Sequence, residues 1–233
     1  MPKRDRPLLA VLVDADNIPA KYAEAILEEI TGLGEPGLRR VYGDWSSDRL
    51  KPWAGKVRDL GLVAHQETAN TKGKNASDIG LVIDAMDILH TGRFDGFVLV
   101  SSDSDFTRLA SRIREDGLDV IGIGEGKAPE ALRNVCNRFI MIENIAGEDA
   151  APEVKATKRK PQDALPVILR AMERMGQDDD WYALGALGSQ IVAETPDFDT
   201  RTYGKRKLGD LVGDIKRLET RMEGTQLMVR RRD

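Results

Sequence analysis

Two apolar runs in this chain stop abruptly at paired acids. Leu8-Leu9-Ala10-Val11-Leu12-Val13 ends at Asp14-Ala15-Asp16-Asn17, and Phe97-Val98-Leu99-Val100 ends at Ser101-Ser102-Asp103-Ser104-Asp105. Short runs of Val, Ile and Leu are the pattern of strands buried on both faces of a parallel sheet, and ligands of such sheets sit just beyond the carboxyl ends of the strands. Carboxylates gathered along that edge repel one another unless they are protonated or share a cation, and hard divalent cations choose oxygen ligands. Asp, Asn and Ser are also preferred helix caps, which accounts for one such pair taken alone. Two pairs at corresponding places favour a metal site.

The elements that must position these acids are legible in the periodicity. With 233 residues, 41% apolar and 32% charged, the chain can bury the core of an α/β domain and carry a smaller second module. Residues 8–143 alternate strand-like and helix-like segments in the rhythm of a doubly wound sheet. A helical stripe of Ala23, Ile26, Leu27 and Ile30 ends at Gly32 and Gly34, and 38–45 reads as a second strand. Leu50, Trp53, Val57 and Leu60 share one face of a helix over about 48–60, before a third strand at 62–65. After a polar loop over 67–75, a third helix from Ala76 is expected to bury Ile79, Val82, Ile83, Met86 and Leu89. A strand at 97–100, a helix through Phe106, Leu109 and Ile113, a strand at 120–123 and a sixth at 139–142 complete the pattern.

Helices that follow strands in such a sheet begin at its carboxyl edge, so Asp78, in the first turn of the third helix, falls on the same edge as Asp14 and Asp103. Asp78 also complements the helix dipole there. Asp84 and Asp87 lie about 240° and 180° further round an ideal helix and read as surface acids. Asp16 either points with Asp14 along an extended segment or turns outward as a helix cap beside Pro19.

Composition excludes several alternatives. A lone cysteine, Cys136, permits no internal disulfide, and His65 and His90 form no ligand-spaced pair, so a zinc site is not expected. No apolar stretch approaches the ~18 residues of a membrane span, and the six apolar residues before Asp14 are too few for a signal-peptide core. A cytoplasmic protein without membrane contact is expected. Residues 1–150 hold 19 Lys and Arg against 25 Asp and Glu, whereas residues 151–233 hold 16 against 14. The second part is thus the more basic and the better suited to meet phosphate.

Near the acidic edge, Lys72 and Lys74 flank Gly73 in the loop entering the third helix, and Lys74 is a candidate for the nucleic-acid backbone. The run Gly122-Ile123-Gly124-Glu125-Gly126-Lys127 has neither P-loop nor dinucleotide spacing and reads as a flexible turn.

Residues 147–161 are small, charged and bounded by Pro152 and Pro161, the chemistry of a linker between domains at 1–146 and 162–233. Beyond it come three helical stripes: Leu165, Ile168, Leu169 and Met172; Trp181, Leu184, Leu187 and Ile191; and Leu208, Leu211, Val212 and Ile215. A hairpin around Glu223-Gly224 follows. Three helices and a hairpin describe a winged helix, with Trp181 and Tyr203 assigned to its core. Arg201, Lys205, Arg206, Lys207 and Arg230 are its candidate nucleic-acid contacts.

Val13-Asp14-Ala15-Asp16-Asn17, Lys74-Asn75-Ala76-Ser77-Asp78-Ile79 and Ser101-Ser102-Asp103-Ser104-Asp105-Phe106 resemble the three signature stretches of the NYN domain, a PIN-like nuclease family. The resemblance implies a three-layer α/β/α fold with a mostly parallel sheet, a Mg²⁺ or Mn²⁺ centre and hydrolysis of RNA phosphodiesters. By motif position it implies Asp14, Asp78, Asp103 and Asp105 as the catalytic, metal-holding set, with Asn17, Ser101 and Ser102 in support. Asn137 stands where relatives often place a further acid. Trp181-Tyr182-Ala183-Leu184-Gly185, Thr195-Pro196-Asp197-Phe198-Asp199, Tyr203-Gly204 and Lys207-Leu208 resemble the OST-HTH or LOTUS domain, which implies RNA as a partner and, in some members, protein partners. A homo-oligomer is compatible with both.

The expected function is therefore a metal-dependent ribonuclease with an RNA-binding module. Two other readings use the same residues: a non-catalytic RNA adaptor, and a haloacid-dehalogenase-like phosphatase in which Asp14 is the nucleophile and Asp16 the general acid of a D-x-D motif.

Overall fold

In the computed structural model, residues 5–66, 76–146, 158–176 and 180–232 are described. The chain separates into two units, Met1–Ala150 and Ala151–Asp233.

Six strands, β1 (Leu8–Asp14), β2 (Glu35–Gly43), β3 (Val63–Gln66), β4 (Gly96–Val100), β5 (Asp119–Gly124) and β6 (Arg138–Met141), form the sheet of the first unit in the order β3-β2-β1-β4-β5-β6. Every neighbouring pair is parallel. The crossovers carry α1 (Ala23–Leu33), α2 (Lys51–Asp59), α3 (Ala76–His90), α4 (Thr107–Glu115) and α5 (Glu130–Val135), and α6 (Ile142–Ile145) follows β6. Since the crossover direction reverses between β1 and β4, the crevice of this doubly wound sheet opens where those strands end. Asp14 closes β1, and Asp103 follows β4 by three residues.

The central strands are apolar because helices cover both faces. Ala10, Val11, Leu12, Phe97 and Val98 are each fully buried. Leu12 and Phe97 share one cluster with Leu81 and Ala85 of α3, Ile113 of α4 and Leu132 of α5.

The buried face of α3 differs from the expected one. Leu81, Ala85, Ile88 and Leu89 are buried and Val82 and Met86 pack partly, whereas Ile79 and Ile83 are 60% and 58% exposed. The cause is Asp84. Its carboxylate accepts from the Arg40 guanidinium and the Tyr42 hydroxyl of β2, which fixes the rotation of the helix and turns Ile79 and Ile83 outward. Asp84 is therefore a half-buried anchor and not a surface acid, while Asp87 is exposed as expected.

The second unit holds α7 (Leu165–Met175), α8 (Leu184–Glu194), α9 (Leu208–Gly213) and a sheet of β7 (Tyr182–Ala183), β8 (Leu218–Glu223) and β9 (Gln226–Arg231) in the order β7-β9-β8. Its core gathers Ile168, Met172, Leu187, Ile191, Tyr203, Leu211, Val212 and Val229. The winged-helix plan and Tyr203 fall where the pattern put them. Trp181 does not. Tyr182 pairs with buried Val229, so the alternation of the strand sends Trp181 to the outer face, where the guanidinium carbons of Arg221 and Arg230 lie 4.1 and 4.7 Å from its ring centroid.

Among the described residues no helix is long and apolar enough to cross a membrane.

Candidate functional site

The carboxyl edge of the first sheet brings three of the four expected acids together. A carboxylate oxygen from each of Asp78, Asp103 and Asp105 lies within 4.8 Å of the other two. Asp78 enters from the first turn of α3; Asp103 and Asp105 belong to the connection from β4 to α4. Opposite ligands of one divalent ion stand ~4–5 Å apart, so the three oxygens span about one coordination shell. Asp103 also accepts from Asp105 N at 2.9 Å, capping the short turn Ser104–Phe106. The cap and the ligand readings of this acid therefore describe the same geometry.

Asp14 is not one of the three converging acids, although it feels the charge of Asp78. It is 3% exposed, and its two oxygens accept from Ser101 Oγ at 2.8 Å and Asn17 N at 3.2 Å. The neighbouring loops are tied by the same small set of residues. Ser101 Oγ accepts from Asp103 N at 3.1 Å, Asn17 Oδ1 from Ser102 N at 3.1 Å, and Ser102 Oγ from Glu125 N at 2.8 Å. Asn17, Ser101 and Ser102 thus link the ends of β1, β4 and β5.

Charge is costly here. Burial pushes the Asp14 carboxyl up to about 7 against the pull of the Ser101 hydrogen bond, and the Asp78 charge adds to the rise. Asp78 is raised to about 6 by burial and then by the charges of Asp103, Asp105 and Asp16. A site that makes its own carboxylates hard to ionise is one that a divalent cation relieves, and an all-oxygen donor set suits Mg²⁺ or Mn²⁺.

Asp16 is half-buried and does not cap: the residue before the Ala20–Tyr22 turn is Pro19, which offers no side-chain bond. Instead Asp16 lines a groove beside the acids and contributes charge to both Asp14 and Asp78. Asn137 sits at the opposite edge. Its side chain accepts from Val120 N near the start of β5, so no acid at that position can reach the centre. The Gly122–Lys127 run is not a loose turn. Gly122 and Gly124 belong to β5, and the turn beyond is held by Ser102 Oγ and by Glu143, whose two oxygens accept from Gly126 N at 2.8 and 3.0 Å. Nothing in the periodicity announces Glu143; only contact between the ends of β5 and β6 does.

Of the expected nucleic-acid contacts, Lys74 lies outside the described residues. Arg201 is half-buried and bound through two nitrogens to Asp199, Lys205 pairs with Asp214, and Arg230 pairs with Glu219 at 2.8 Å. Arg206 and Lys207 are exposed.

The model of the NYN domain family matches residues 8–143, and that of the OST-HTH/LOTUS domain matches residues 156–228. Among solved structures, a protein of unknown function from Vibrio parahaemolyticus RIMD 2210633, VPA0982, superposes with a TM-score of 0.52 at 21% identity, over 61% of this chain and 96% of that one. That likeness concerns the fold alone. Acinetobacter baumannii MurG gives a TM-score of 0.40 at 10% identity, over 90% of this chain and 70% of its own. No curated protein sequence matches. Matched across all six strands of its sheet, the chain belongs to the NYN-domain family, and an OST-HTH/LOTUS domain follows the NYN domain in it.

Proposed function

We propose that the chain is a divalent-metal-dependent ribonuclease whose acidic centre hydrolyses RNA phosphodiester bonds, with the OST-HTH/LOTUS domain as its RNA-binding module. The observation that carries this reading is the convergence of the Asp78, Asp103 and Asp105 oxygens within 4.8 Å at the crevice of an NYN-family sheet. A nuclease with an RNA-binding module is what the two domains together support.

Asp78, Asp103 and Asp105 would hold Mg²⁺ or Mn²⁺, and buried Asp14 would add its charge beside Asp78. The ion supplies charge neutralisation at the phosphodiester oxygens and a lowered pKa for attacking water. The protein's own part is to fix the carboxylates. Ser101 orients Asp14 and the Asp103 backbone together, Asn17 and Ser102 hold the loop ends in register, and the low exposure of Asp14 keeps water from relaxing the site. A phosphatase using Asp14 as nucleophile has little support, because both its oxygens face inward to Ser101 and Asn17.

The test is cleavage of end-labelled RNA by the full chain with Mn²⁺ or Mg²⁺, compared with excess EDTA and with Asp103→Asn. Loss of cleavage in both comparisons supports the reading. Binding of RNA without metal-dependent cleavage would favour the adaptor instead.

A further inference from the structure

A groove of about 530 Å³ runs along the carboxyl edge beside the acidic centre. It is formed by the loop that follows β1, by the connection from β2 to α2 and by the turn after β5. Its volume falls within the ~300–1,000 Å³ of small-ligand sites. Asp16 and Asn17 form the border between groove and acids, for Asp16 charges Asp78 while Asn17 bonds the loop that leads to Asp103.

The lining divides by chemistry. Pro19 and Pro52 are the exposed apolar residues of the lining; beneath them Ile18, Leu50 and Trp53 are buried, and Trp53 Nε1 donates to Ile18 O at 2.8 Å, which holds α2 against the β1 loop. Lys21, Arg49 and Lys127 are exposed cations around this floor. The Arg49 guanidinium makes one long bond, to Asp16 O at 3.4 Å, and Lys127 pairs with Glu125. The cations stand out because residues 1–150 carry a net charge of −6. Exposed proline faces under a cationic rim, bordered by Asp16 and Asn17 on the side of the acidic centre, match the two faces of a nucleotide: base and sugar against the prolines, phosphates at the rim.

We propose that this groove holds the RNA nucleotide beside the scissile bond, with Arg49 and Lys127 as positioning residues on its phosphates. The inference rests on the ribonuclease reading, which supplies RNA as the substrate. Lys127 exchanges Glu125 for phosphate as the strand arrives, and Arg49 reaches the strand from the opposite loop.

The experiment uses full-length protein, Arg49→Glu and Lys127→Glu singly and combined, and a short single-stranded RNA carrying 4-thiouridine. Cleavage with Mn²⁺ gives KM and kcat, and photo-cross-linking to the Asp103→Asn protein maps the contact. Each reversal is expected to raise KM at least about tenfold, the scale of one charge-assisted hydrogen bond, with kcat changed much less. Cross-links should fall on the peptides containing Asn17–Lys21 or Pro52–Trp53. An unchanged KM, with cross-links only elsewhere, overturns the groove while leaving metal-dependent cleavage intact. If the wild type cross-links in the groove but never cleaves, the groove stands and the hydrolytic reading fails. Preferential capture of DNA of the same sequence overturns the assignment to RNA.

Discussion

Ser101 donates its hydroxyl to Asp14 Oδ2 at 2.8 Å while accepting from Asp103 N at 3.1 Å, so one side chain joins the buried acid at the end of β1 to the loop after β4 that carries Asp103 and Asp105. Its position in the switch-point crevice means that displacing it disturbs two acids at once.

Ser101→Ala should therefore act on metal binding more than on folding. Removing the donor takes away the interaction that lowers the Asp14 pKa, so Asp14 stays protonated to higher pH and lends less negative charge to the neighbouring acids that would hold the cation. Loss of an outer hydrogen bond of this kind weakens metal affinity by roughly 10- to 100-fold. Calorimetric titration with Mn²⁺ measures it, and an unchanged affinity would show that Ser101 does not govern the centre.

The acids also set a pH dependence for the metal-free protein. The folded-state values of about 7 for Asp14 and about 6 for Asp78 lie above the unfolded 3.8. Stability from these groups is then fully present below the unfolded value and is lost as pH rises through 6 to 7. Asp14→Asn removes the ionisation while keeping the shape. In EDTA at pH 8 it should raise stability by at least about 1 kcal/mol, or some 2–4 °C in Tm, with a smaller gain at pH 5. A variant melting below wild type at pH 8 would contradict the cost assigned to the buried carboxylate.

How far sequence carried this fold depended on how unambiguous each local pattern was. The parallel strands are legible because burial on both faces demands continuous apolar runs, and the topology of such a sheet places Asp78 beside Asp103. The side chains of α3 were not legible. Ile79, Leu81, Val82, Ile83, Ala85, Met86, Ile88 and Leu89 are apolar almost all round the helix, so no single stripe is specified and a tertiary bond from Asp84 chooses among them. Trp181 reads as core for a related reason: its apolar stripe has helical spacing, whereas the two-residue strand before α8 alternates with period 2 and moves it to the outer face. Within the site, the motif stretches point to the acids, but the bond that buries Asp14 against Ser101 and the hold of Glu143 on the β5 turn arise from contacts between distant segments.

The anchor on α3 can be tested separately from the chemistry. Asp84→Ala leaves the Arg40 guanidinium and Tyr42 hydroxyl without their shared acceptor at the α3–β2 contact. Because the pair is 28% and 22% exposed at its side chains, the cost is discounted from that of a fully buried pair to about 1–3 kcal/mol. Thermal or denaturant unfolding measures it; a change within about 0.5 kcal/mol would mean that the network is solvated.

Gly124 is constrained by the close approach of the β4 loop. A Cβ there would stand 2.5 Å from the Ser101 carbonyl oxygen and 3.0 Å from Ser102 Oγ. The first of these is backbone and cannot rotate away. Gly124→Ala should therefore cost about 1–3 kcal/mol and shift the Ser101–Asp103 segment, lowering cleavage more than it lowers RNA binding. Cleavage and binding reduced in parallel would place the defect in general unfolding.

In the OST-HTH/LOTUS domain the proposed RNA contacts divide by how they are already engaged. Arg201 is fixed to Asp199, which also caps the Thr200–Tyr203 turn, and Lys205 is paired with Asp214, so each has an internal role. Arg206 and Lys207 are exposed in the approach to α9. A phosphate contact lowers affinity for all sequences when lost and reduces the salt slope by roughly 0.7–0.9 per charge. Arg206→Ala with Lys207→Ala should consequently weaken RNA binding and flatten its salt dependence by one to two charges' worth while Tm stays near wild type. Arg201→Ala should do the reverse, lowering Tm by severing its pair with half-buried Asp199 and leaving the salt slope nearly unchanged. The reciprocal pattern, with Arg201 carrying the salt slope, would require Asp199 to release it on binding.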